Sequence, residues 1–74
     1  MPNVTPRAVD AAEFDSFLIE NPDLVSRPQL GSLLMAENFE DSNGDIVATR
    51  IRARPDAPRN VQFVPTWTLF EKDS

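Results

Sequence analysis

The sequence predicts an α+β fold: two short N-terminal helices followed by a C-terminal β-hairpin, in a single small domain. Three observations lead there. A helix-start pattern occurs twice in the first half, an Asn-Gly pair divides the chain, and a β-branched alternating stretch follows it. The chain has 74 residues, of which 41% are apolar, enough for one domain with one modest core.

The helix-start pattern appears as VDAAEFDSFL at 9–18 and VSRPQLGSLL at 25–34. In the first copy Asp10 is placed to cap a helix, with Glu13 at the third helical position. Val9 and Phe14 flank that cap as a hydrophobic staple. In the second copy Ser26 and Gln29 make the box, and Val25 and Leu30 the staple. Phe14, Phe17 and Leu18, then Leu30, Leu33 and Leu34, follow at helical spacing. Asn21-Pro22 ends the first helix, because proline disfavours helical geometry in the residue before it. The predicted helices cover about 11–20 and about 27–38.

Asn43-Gly44 then supplies the backbone freedom of a tight turn. IVATRIRAR (46–54) alternates as a strand, with Val47, Thr49, Ile51 and Ala53 on one face. Arg50, Arg52 and Arg54 share the other face, which reads as a solvated arginine row. After the turn PDAPRN, NVQFVPTWTLF (60–70) is predicted to be the second strand. Pro65 marks an edge or bulge, and Phe63 and Trp67 are assigned to the core. Residues 9–70 form the predicted domain, and residues 1–8 and 71–74 are expected to fray.

Net charge is −5, unevenly spread: residues 1–45 carry −7 and residues 46–74 carry +2. Cysteine and histidine are both absent, so disulfide frameworks and the commonest acid–base and nucleophilic groups are missing. The chain holds only Gly31 and Gly44, too few for a glycine-rich phosphate loop. The expectation is therefore a protein without enzymatic activity, cofactor or metal. No apolar run suits a membrane span or a signal peptide, and the lack of cysteine suits a reducing cytoplasm.

Asp41-Ser42-Asn43-Gly44-Asp45 opens like a calcium-binding EF-hand loop. It then places Ile46 and Arg52 where glycine and a bidentate glutamate belong. The arginine row invites a nucleic-acid reading, with helix–turn–helix and hairpin resembling a winged-helix DNA binder. The second helix would be its recognition helix, yet it carries Glu37 and is followed by Glu40, and a protein of this charge is repelled by a polyanion. The favoured partner is a larger protein. Candidate contacts are Arg50, Arg52, Arg54 and Arg59, the opposite-parity Phe70, and the acidic Glu37 and Glu40. A structural or assembly role is the other alternative.

In size, acidity and lack of catalytic groups the whole chain resembles small phage-encoded proteins that bind and redirect a host RNA polymerase. The resemblance is one of general character. DAAEFDSFL, SRPQLGSLL and RIRAR match no family motif, so it implies a polymerase-type partner without assigning contact residues.

Overall fold

The computed structural model describes residues 3–73. Five strands and one helix follow the order β1 (Asn3–Val9), α1 (Ala11–Glu20), β2 (Val25–Leu30), β3 (Leu34–Glu40), β4 (Ile46–Ala53) and β5 (Thr66–Asp73). The strands make one antiparallel sheet in the order β1-β5-β4-β3-β2. Strands β2 to β5 form a meander, and β1 closes the far edge beside β5. The chain therefore crosses the whole sheet through α1 between its two edge strands. The upper end of the sheet holds the start of α1, the β2–β3 turn and the 54–65 loop. The lower end holds residues 21–24 and the β3–β4 turn.

The first helix is as predicted. Asp10 Oδ1 accepts from the Glu13 amide at 2.8 Å, satisfying a donor that the helix itself cannot pair. At the other end the Asn21 amide donates to the Leu18 carbonyl, and its side-chain Nδ2 donates to the Phe17 carbonyl at 2.8 Å. Pro22 stops the helix there.

The second predicted helix does not exist. Residues 25–40 form the β2–β3 hairpin, so the two-helix, one-hairpin fold is overturned by a five-stranded sheet with a single helix. Leu34, Met35, Ala36 and Glu37 are good helix formers, but β3 lies between β2 and β4 and both its edges are paired. Long-range pairing outweighs a local preference of a few tenths of a kcal/mol per residue. Ser26, read as a cap, instead donates from Oγ to Glu37 across the hairpin at 3.3 Å.

Pro28 fits this hairpin for a specific reason. The Gly31 amide donates to the Leu34 carbonyl at 2.8 Å, making 31/34 a hydrogen-bonded pair. Alternation along the register then makes Pro28–Glu37 a non-hydrogen-bonded pair, so the proline nitrogen faces outward. No ladder bond is lost, and the free edge lacks a donor at its middle, which discourages strand addition.

Two further expectations change. Residues 3–8, placed outside the domain by the sequence, form the body of β1, paired from Asn3–Asp73 to Val9–Trp67. That pairing also draws residues 71–73 into β5; residues 1, 2 and 74 lie outside the described residues. The second strand begins at Thr66 rather than at residue 60. Pro55, Pro58 and Pro65 fill the preceding segment with turns, including Ala57 N to Arg54 O and Val61 N to Pro58 O, both 3.0 Å.

The Asn43-Gly44 turn forms as expected. Gly44 donates to the Asp41 carbonyl at 3.0 Å and has φ +80°, the glycine-favouring step that closes a three-residue hairpin loop. Asp41 Oδ1 accepts the amides of Asn43 and Asp45, so this carboxylate fastens the turn.

Helix α1 covers one sheet face. Phe14, Phe39, Ala48 and Leu69 are the buried core, with Val9, Phe17, Leu18, Leu24 and Trp67 packed around it. The rings of Phe14 and Phe39 meet edge to face at 5.7 Å. Ala48, opposite Phe39 and Leu69, is the small residue that gives Phe14 its seat. The placement of Trp67 on the core side is as predicted.

Candidate functional site

Parity along β4 is as the sequence indicates, but its two faces are exchanged. Ala48 points to the helix, so Arg50 and Arg52 point there too, while Thr49, Ile51 and Ala53 face away. The Arg50 guanidinium lies 5.8 Å from the Phe14 ring centre and 5.6 Å from that of Phe39. Its Nε and Nη2 donate to the two oxygens of Glu37 at 3.0 and 3.1 Å, a bidentate pair beside the core. Arg50 is thus a structural residue, not a free surface cation.

Glu37 is held below the ordinary carboxylate range. Hydrogen bonds from Arg50 are the main cause, opposed by burial, with the charges of Arg50 and Arg52 and the Ser26 hydroxyl assisting. Arg52 approaches the same carboxylate at only 3.5 Å and its side chain stays 48% exposed. Arg54 pairs with Asp56 and donates from Nη1 to the Gly31 carbonyl at 2.9 Å, tying the β2–β3 turn to the end of β4. Glu40 pairs with Arg27 on the uncovered face. Phe70 lies on that face as well, half-buried. Arg59 sits exposed in the 54–65 loop and makes no ion pair among the described residues.

The predicted contact set is therefore divided by the sheet. Arg50, Arg52 and Glu37 meet on the helix side, Glu40 and Phe70 lie on the opposite side, and Arg54 and Arg59 belong to the upper end. The described residues leave shallow openings at both ends of the sheet, including one of about 250 Å³ among Glu20, Asp23, Leu24 and Asp41. The opening that holds predicted contact residues is a groove of about 240 Å³ between the start of α1 and the upper ends of β4 and β5. Ala11 and Asp15 wall one side, Pro65 and Trp67 the other, with Arg50, Ile51 and Arg52 completing it. Arg52 is the cation there whose guanidinium is not saturated by close partners.

Charge is polarised along the same axis. Arg52, Arg54 and Arg59 are balanced at the upper end by Asp10, Asp15 and Asp56, whereas Glu20, Asp23, Asp41 and Asp45 outweigh Lys72 at the lower end. Lys72 is itself engaged by Asp45 at 2.8 Å. Exposed Leu30, Leu33 and Val64 also belong to the upper end. Sequence reasoning missed the groove and these apolar residues. The groove joins positions from α1, β4, β5 and the loop before β5, and helical spacing assigns Leu30 and Leu33 to a helix core.

Among the described residues no group of three His, Cys, Asp or Glu side chains is placed to hold a metal ion. No described helix is long and apolar enough to cross a membrane. The helix–turn–helix pair that a winged-helix reading needs is absent, since its recognition helix is the β2–β3 hairpin. Comparison of the chain with protein-family models, curated proteins and solved structures gives no match.

Proposed function

We propose that this protein is a non-enzymatic binding regulator that docks on a larger protein through the upper, arginine-bearing end of its sheet. The observation carrying this reading is the groove that under-engaged Arg52 and Trp67 both line. A planar guanidinium next to an aromatic wall suits a carboxylate on an apolar stem, such as an acidic residue within a partially apolar segment. Arg59 and the exposed Leu30, Leu33 and Val64 extend the same chemistry around the opening. The acidic lower end favours one orientation of approach and steers encounter. A host RNA polymerase belongs to the class of partner proposed, on the resemblance in size and charge, and the absence of cysteine fits action in a reducing cytoplasm. Arg50 and Arg54 already have carboxylate partners, which weighs against a phosphate-reading row.

Trp67 is the single tryptophan and so a direct reporter. Titration with a synthetic Glu/Leu-rich peptide should change its fluorescence saturably, more strongly at low salt. Arg52→Glu should weaken binding by about tenfold or more, a loss of about 1.4 kcal/mol. A flat wild-type titration at low salt, or equal affinity in R52E, overturns the reading. A stronger response to duplex DNA than to the peptide transfers it to nucleic acid.

A further inference from the structure

The uncovered face of the sheet has the composition of an interface. A half-covered antiparallel sheet ordinarily alternates apolar residues toward its helix with polar residues toward water. Here the strands send Arg7, Glu37, Arg50, Arg52 and Glu71 to the helix side. The other side carries the uncharged Thr68, Thr49, Asn38, Ile51, Ala36 and Leu34 across its centre. Among the described residues charge appears there toward the margins, as Arg27 with Glu40 at the β2 edge and as Lys72 with Asp45 at the lower end. Val4, Ile46 and Phe70 add a second apolar group near that lower end. An uncharged centre within a charged rim is the pattern of a protein–protein contact.

We infer that this face packs against a second copy of the chain, sheet on sheet, forming a symmetric dimer with the helices outermost. Size supports this occupant. Five strands at about 4.8 Å, six or so residues long at about 3.4 Å, make a footprint of about 500 Å² per copy. Two copies together bury about 1,000 Å², the lower bound of a specific interface. The centre has no charge to repel its own image, and a self-complementary patch is what a two-fold contact requires. The small core of the single chain also supports it. The radius of gyration is 13.4 Å with extents 43 × 25 × 20 Å, against about 11 Å for a compact chain of this length. The chain is elongated along one axis and its core is small, and stacking gives the sheet a second packed layer at the usual spacing of about 10 Å.

The groove lies on the helix side and shares Ile51 alone with the residues named for this face. Sedimentation equilibrium of the full chain over a micromolar to millimolar series should reach twice the 8.3 kDa chain mass. Ile51→Glu and Ala36→Arg, each placing charge at the centre, should shift the mid-point concentration upward by at least tenfold. Arg52→Glu, on the other face, should leave it unchanged. Isotope-filtered NOEs between chains should connect Leu34, Ile51 and Phe70, and they decide the matter even where a variant fails to fold. A wild-type chain monomeric to millimolar concentration, or a dimer lacking those NOEs, overturns the inference.

Discussion

The two faces of the sheet teach opposite lessons about burial. The covered face holds most of the strand charge and is nevertheless the core side. The open face is uncharged at its centre. On the covered side the charges are matched: Arg50 stacks on Phe14 and Phe39 while Glu37 accepts both ends of its guanidinium. Arg7 bridges α1 and β5 through Glu13 and Glu71, and those two hydrogen bonds raise its affinity for the proton. On the open side the hydrogen bond from Thr49 to Asn38 at 2.9 Å is neutral and partly wet. Burial of a strand residue is set by what covers its face, and α1 covers the face on which Ala48 leaves room.

Replacing Phe14 should break the covered face outright. It is fully buried, so Phe14→Ala removes the ring on which Phe39 and Arg50 pack. The expected loss is about 3–5 kcal/mol, enough to unfold most of a domain this small. Phe70→Ala, measured by urea denaturation at low micromolar protein, should lose less than half as much, because its ring is half-exposed in a single chain. Equal losses at the two positions would remove the distinction between the faces.

Part of this was legible in the sequence. The Asp10 cap, the Asn21-Pro22 stop and the Asn43-Gly44 turn are local chemistry, and each stands in the structure where its residues place it. The 25–34 segment carries the same capping grammar as 9–18 and becomes a hairpin. Residues 25–30 pair with β3, whose other edge is held by β4 about a dozen residues farther along the chain, beyond any local pattern. Alternation in 46–54 located a strand and sorted its side chains correctly, but could not say which face the helix would take. Hydropathy favours Ile51 over Arg50 for the core; the choice is reversed by Phe14, Phe39 and Glu37, which come from three other segments or strand positions. The groove between Arg52 and Trp67 was illegible for the same reason.

Glu37 offers a subtler test of the covered face. Glu37→Gln keeps the shape but weakens a charge-assisted pair, with an expected loss of about 2 kcal/mol at neutral pH. Because the folded carboxyl titrates below its ordinary range, its contribution is fully present above the unfolded value of about 4.3. It is lost as pH falls through the lower folded value. The stability gap between wild type and E37Q should therefore be constant from pH 7 to about 5 and close at lower pH. Urea midpoints across that series read the gap directly, and a gap that persists under strong acid would point to packing instead of charge.

Thr49→Val should produce the smallest effect and isolates the open face. The exchange keeps the β-branched shape on β4 and deletes one neutral hydrogen bond to Asn38. In the dilute single chain water reaches this face and can serve the Asn38 oxygen, so the expected loss is about 1 kcal/mol or less. Neither group titrates between pH 3 and 7, so the loss should be the same throughout, unlike that of E37Q. It should also change with protein concentration, because stacking of two chains withdraws water from the Thr49–Asn38 pair, whereas Glu37 lies on the far side of the sheet and is blind to that event. A Thr49 effect independent of concentration, in a chain that does dimerise, would place the contact away from the centre of the open face. Concentration thus probes one face and pH the other.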